Sequence, residues 1–220
     1  MFVLTIDQQK STTRGDLVPQ LLDRLTRHGA HLAGVLLPFE RTVGDEVQGV
    51  IDDPVSALSV VLDVVRVGGW RTGLGIGGVR QPLPEHSREA SGQAFVSARA
   101  AVDRAKSRTT AVPVAVDGPD TGRAAEVEAI LRLLGAIVER RTAAGWQVVD
   151  LLRPAPWADH RAGAAASQAR DQPSGATQKE IARTLGISEQ AVSQRVRSAL
   201  WAEEQAAWPL AARLLREADV

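Results

Sequence analysis

The chain has 220 residues, 44% of them hydrophobic and 24% charged, with 26 basic and 26 acidic side chains. That balance excludes a fibrous or disordered chain, and it excludes a global field drawing the protein to DNA or an acidic membrane, so any nucleic-acid contact must come from a local patch. The absence of cysteine removes disulfides, thiolate zinc sites and cysteine nucleophiles, leaving carboxylates and the four histidines as metal donors. His28, His31, His86 and His160 show no ligand spacing. No stretch approaches the roughly eighteen apolar residues of a membrane span, and the opening MFVLTIDQQK lacks the basic and small-residue features of a secretory signal. A cytoplasmic protein with no membrane partner is expected.

In chain order, the apolar run 2–6 ending at Asp7 predicts a buried central strand. Leu17, Leu21, Leu22 and Leu25 recur at helical spacing up to a stop at Gly29. Residues 31–41 and 47–51 read as two strands joined through Val43, Gly44, Asp45 and Glu46, where glycine followed by aspartate signals a hairpin. Asp52, Asp53 and Pro54 start a helix, with aspartate as the cap and proline in the first turn, that runs to about Val67. Residues 70–79 form a strand whose glycines let something approach the backbone closely. A polar loop, an alanine-rich helix over 93–107 and a last strand over 110–116 complete a βαββαβαβ order. The expectation is an α+β, ferredoxin-like sandwich over 1–117 with its helices on one face.

Past the boundary at 117–122 the pattern turns helical. Val127, Ile130, Leu131, Leu134, Ile137 and Val138 form one apolar face, the best candidate for a dimer contact, although such a face can equally pack on its own domain. A second, all-α domain is expected over 123–220. A helix reaches Leu152, a mobile insert rich in proline and alanine fills 154–176, and helix follows to the C-terminus with a break at Pro209. Trp70, Trp146, Trp157, Trp201 and Trp208 read as core or dimer anchors.

Residues 177–201 read TQKEIARTLGISEQAVSQRVRSALW. Thr177 with Glu180 makes a capping box, Ile181, Ala182 and Leu185 face inward, Gly186 permits the sharp turn, and Ser188 caps the next helix. This segment strongly resembles a helix-turn-helix, with the unit over 177–200. With the preceding helix it is similar to the trihelical DNA-binding domains of sigma factors and response regulators. The resemblance implies double-stranded DNA as partner and a homodimer on a two-fold site. Glu189, Gln190, Ser193, Gln194 and Arg197 point outward from the second helix and can meet base edges. Thr177, Gln178 and Lys179 at the first helix start, Ser188 at the second, and Arg195 are placed for phosphate contacts. The same geometry can serve merely as a packing unit, but the outward positions offer no apolar anchor for a protein partner.

In the front half, Asp7 and the hairpin pair Asp45 and Glu46 can converge on one Mg2+ or Mn2+ ion, since hard oxygen donors suit such metals. The plainer alternative makes Asp7 a strand-end cap and Gly44 and Asp45 turn formers. FERTVGDEVQGV at 39–50 resembles the metal-binding hairpin of class III nucleotidyl cyclases and GGDEF diguanylate cyclases. RTGLGIGGV at 71–79 and GQAFVSAR at 92–99 resemble the strand and helix that follow in the class III enzymes. With the helix-turn-helix behind it, the whole chain resembles the SatD family. The resemblance implies a nucleotidyl cyclase-like domain in which Asp7, Asp45 and Glu46 hold metal, Arg99 matches the transition-state arginine, and a nucleotide is a ligand. No asparagine stands near Phe95 and Val96 to orient a ribose, and DQQKST lacks a glycine-bearing triphosphate turn. The expected protein is therefore a DNA-binding transcriptional regulator, nucleoid-associated when bound, with a non-catalytic sensor or dimerisation domain. The alternative is a metal-dependent nucleotide cyclase or nucleotidyltransferase with a helical targeting domain.

Overall fold

A computed structural model describes residues 1–107, 110–153 and 175–219. Five strands, β1 (Phe2–Gln8), β2 (Val35–Arg41), β3 (Glu46–Ile51), β4 (Trp70–Ile76) and β5 (Val114–Asp117), form one sheet in the order β2-β3-β1-β4-β5. The first four are antiparallel neighbours and β5 joins β4 in parallel. Between them run α1 (Ser11–Arg14), α2 (Val18–Gly29), α3 (Pro54–Val67) and α4 (Gln93–Ser107). They are followed by α5 (Thr121–Arg140), α6 (Ala143–Leu152), α7 (Gln178–Leu185), α8 (Glu189–Ser198) and α9 (Trp201–Ala218).

The expected α+β class is observed, with differences at the edges of elements. The second strand begins at Val35 because Gly34 turns the chain at φ +68. The fourth stops at Ile76, before Gly77 at φ +138. The fifth spans Val114–Asp117, later than the expected 110–116. The short α1 carries no buried residue and hence no apolar period to betray it.

Every residue of β1 is buried, which requires cover on both faces of the sheet. Alternation sends Val3, Thr5 and Asp7 to one face and Phe2, Leu4 and Ile6 to the other. On the first face Val3 and Val50 pack with Ala94 and Ala98 of α4. Gly73 and Gly75 of β4 lie beneath that helix, and a β-carbon at either would fall 2.3 Å from Val102 N or 2.0 Å from the Ala94 carbonyl. The close approach foreshadowed by these glycines is thus that of α4 itself. α2 and α3 cover the opposite face, joined by a two-pronged Arg24–Asp63 ion pair and by His28 Nε2 2.9 Å from Ser59 Oγ. The expectation of helices on one face only is corrected accordingly.

Both sheet edges are closed. Pro38 and two register shifts interrupt β2, which keeps an edge strand from recruiting another. At β5, α5 and α4 supply the missing partners: Glu128 accepts from Val116 N at 2.9 Å, Arg132 Nε donates to the Val114 carbonyl at 2.9 Å, and Arg104 donates to the Val116 carbonyl at 2.8 Å.

The chain divides into two compact units, Met1–Glu139 with Ala207–Val220, and Arg140–Ala206. This differs from the division at 117–123. On α5, Ala124, Val127, Leu131, Leu134 and Val138 are buried within the front unit, and so are Ala211 and Leu215 of α9. Ile130 and Ile137 are half-buried. α9 continues through Pro209, where a break was expected; the proline is exposed, so the carbonyl it leaves unbonded can turn to water. Of the expected insert, 154–174 and with it Trp157 and His160 lie outside the described residues.

Candidate nucleic-acid interface

The unit Arg140–Ala206 is built on a small apolar core in which Val148 of α6, Ile181 and Ala182 of α7, and Val192 of α8 are buried. Leu151, Leu185, Ile187 and Val196 pack around them. Local signals set each end of its helices. Thr142 caps α6 by accepting from Gly145 N at 3.1 Å. The capping box at α7 is complete: Thr177 Oγ1 accepts from Glu180 N at 3.3 Å, and the Glu180 carboxylate accepts from Thr177 N at 2.8 Å. The backbone and hydroxyl bonds from Thr177, with Arg183 nearby, hold the Glu180 carboxyl below its ordinary range. Gly186 ends α7 at φ +65, a left-handed position that favours glycine, and Ser188 accepts from Ala191 N at 3.2 Å to start α8.

Between the start of α7 and the outer face of α8 lies an open concavity of 510 Å³ lined by Gln178, Glu189, Gln190, Ser193, Gln194 and Arg197. No apolar side chain lines it. Ser193 Oγ stands 3.5 Å from Gln178 Oε1, which ties the two helices together across its floor. Gln190, Gln194 and Arg197 are exposed. Amide and guanidinium groups on one helix face present the paired donors and acceptors that base edges in a major groove require.

The sequence-derived set divides by geometry. Six of its residues line the concavity. Thr177 and Ser188 spend their hydroxyls on caps, so their neighbouring backbone amides, rather than their side chains, are what they offer to phosphate. Lys179 is exposed on α7 and makes no ion pair among the described residues. Arg195 is half-buried and donates to Gln147 of α6 at 3.2 Å, outside the concavity. Arg183 was missed. It is exposed on α7 four residues after Lys179, on the same helix face, and that spacing was the available signal.

The exit from α8 is fixed by buried charge. Arg141 donates from Nε and Nη2 to the carbonyl of Ala199, the C-cap of α8, and pairs with Glu204. Glu204 also accepts from Arg153 at 3.0 Å. The Arg141 guanidinium lies 4.4 Å from the centroid of Trp146, and that of Arg153 lies 5.6 Å from Trp201. Two of the five tryptophans thus act as platforms for buried arginines. Leu200 follows in the left-handed region at φ +51.

In the front unit, Asp7 sits opposite Glu46 on β3 and Arg71 on β4. Its oxygens are taken separately, Oδ1 by Lys106 at 2.9 Å and Oδ2 by Arg71 at 3.4 Å. Burial pushes the Lys106 ammonium down, but Asp7 and Asp103 outweigh it and hold it above its ordinary value. Glu46 pairs with Arg99 and accepts from Thr42 Oγ1 at 2.8 Å. Arg99 also reaches Asp103 at 3.4 Å. Among the described residues no group of three or more histidines or carboxylates is placed to hold a metal ion. These residues do not fit a Mg2+ or Mn2+ site, because the carboxylates expected to bind it are already engaged by side-chain cations.

Residues 172–201 match the family described as Sigma-70, region 4. The match takes in α7 and α8, so this pair is similar to that helix-turn-helix DNA-binding region; it includes none of the residues that carry the cyclase resemblance. No curated protein and no solved structure matches the chain. No helix among the described residues is long and apolar enough to cross a membrane.

Proposed function

We propose that this chain is a sequence-specific transcriptional regulator that reads the DNA major groove with α8, as a homodimer in the cytoplasm. The observation that carries this reading is the polar, apolar-free concavity of Gln178, Glu189, Gln190, Ser193, Gln194 and Arg197 on a helix pair that matches Sigma-70, region 4. Lys179 and Arg183 on α7 supply cations for the backbone, while Gln194 and Arg197 supply base contacts. A neutral chain acts on DNA here through this local patch. The front half serves as a non-catalytic, cyclase-like sensor or dimerisation domain, a reading supported by the β2-β3-β1-β4 order of its antiparallel strands, which a ferredoxin-like sandwich shares. Together with the helix-turn-helix, that reading keeps the chain within the SatD resemblance.

Selection of bound duplexes from a random pool by the full chain tests this function. An enriched motif that Arg197→Ala or Gln194→Ala relaxes at single positions is the expected result. Recovery of no motif by the wild-type chain, at salt low enough for binding, would contradict sequence-specific reading.

A further inference from the structure

We propose that Lys106 and Arg71 stand in for a divalent metal ion at Asp7, so that the front unit balances its central carboxylate with cations of its own and works without a metal. The Asp7 side chain is only 11% exposed, and a carboxylate so placed needs a compensating charge. Two monocations deliver the double positive charge that magnesium or manganese would bring. They also occupy both oxygens, Oδ1 through Lys106 and Oδ2 through Arg71, where magnesium would need direct coordination at roughly 2.0–2.1 Å.

The arrangement follows from the sequence of β4. Gly73 and Gly75 lack the β-carbons that would collide with the α4 backbone, so α4 settles directly on the Asp7 face of the sheet. Lys106, near the end of α4, is thereby brought over the end of β1. The neighbouring acid is closed in the same manner, since Arg99, also from α4, pairs with Glu46. Of these three acids Asp45 makes no ion pair among the described residues, and one carboxylate is too few for a hard divalent ion. α4 therefore contributes an internal counter-ion to each of two acids that the hairpin pattern offers to a metal.

Titration of the full chain with Mn2+, following free ion by electron paramagnetic resonance, tests this directly. The wild-type chain is expected to leave stoichiometric Mn2+ free. Lys106→Met and Lys106→Gln, each checked for wild-type thermal unfolding, are expected to bind it at least about tenfold more tightly, the equivalent of about 1.4 kcal/mol. Uptake of one ion by the wild-type chain that Asp7→Asn abolishes overturns the proposal, and so does a folded Lys106 variant that gains no affinity.

Discussion

Arg141 donates two hydrogen bonds to the carbonyl of Ala199, from Nε at 3.0 Å and from Nη2 at 2.8 Å. Ala199 caps α8, so a residue that precedes the whole helix-turn-helix in sequence holds the far end of its second helix. The Arg141 and Glu204 side chains are both 0% exposed, and removing one partner of such a pair leaves a buried charge uncompensated. Glu204→Ala, which strands Arg141 and Arg153 together, should lower the unfolding free energy of the unit by about 3–5 kcal/mol. Urea denaturation read through Trp146 and Trp201 fluorescence measures it; a loss under about 1 kcal/mol would mean that the cluster is balanced by something else.

A pH effect is expected at His86. Its Nδ1 stands 2.9 Å from Glu40, and Ser87 N donates to the same carboxylate. The hydrogen bond to Glu40, and then its charge, raise the His86 pKa above 6.5 against the smaller opposing effects of burial and Arg88, with Glu85 adding to the rise. A raised histidine contributes stability that is fully present below its unfolded pKa and fades as pH rises through the folded one. Proton NMR titration should show His86 titrating above the ordinary histidine value, with Glu40→Gln bringing it down. A His86 midpoint at or below 6.5 in the wild-type chain contradicts the contact.

Glu128 closes the open edge of β5, and its removal should be visible in two ways. Glu128→Ala leaves Val116 N without its acceptor and strips a partner from Arg104 and Arg132. The expected cost is about 1–3 kcal/mol for an unsatisfied buried group. The exposed edge should also promote self-association, readable by sedimentation velocity. A variant as stable and as dispersed as the wild type would show that the edge needs no guard.

Gly73→Ala tests the seating of α4. The added methyl would meet Val102 N at 2.3 Å, a backbone atom that cannot swing aside. Overpacking of this kind costs typically about 1–3 kcal/mol. Thermal unfolding measures it, and an unchanged midpoint would mean that α4 sits higher over the sheet.

Much of this was legible in the residues because the signals were local. The capping box of Thr177 and Glu180, the turn at Gly186 and the cap at Ser188 each act within four residues, and each stands where the sequence puts it. The apolar run of β1 and the proline start of α3 were equally readable. What escaped depends on tertiary placement. The glycines at 73 and 75 announce a close approach without saying that a helix of the same chain makes it. The acids at 7, 45 and 46 resemble a metal set until Lys106, Arg71 and Arg99 arrive from elements far away in sequence. The helical pattern to the C-terminus places the last helix in the all-α domain over 123–220, yet Ala211 and Leu215 of α9 fold with the front unit, because an apolar face does not name its partner. Pro209 fails to break that helix since it sits on an exposed side.

The most direct test of groove reading by α8 is the affinity of the full chain for its selected duplex, measured across a salt series for wild type, Arg197→Ala and Lys179→Ala. Arg197→Ala should weaken binding to the selected site by about 1–3 kcal/mol and barely change binding to unrelated duplex. Lys179→Ala should weaken both alike and reduce the salt slope by about 1. Equal loss on selected and unrelated DNA for Arg197→Ala, or wild-type binding indifferent to salt, would contradict the assignment of α8 to the major groove.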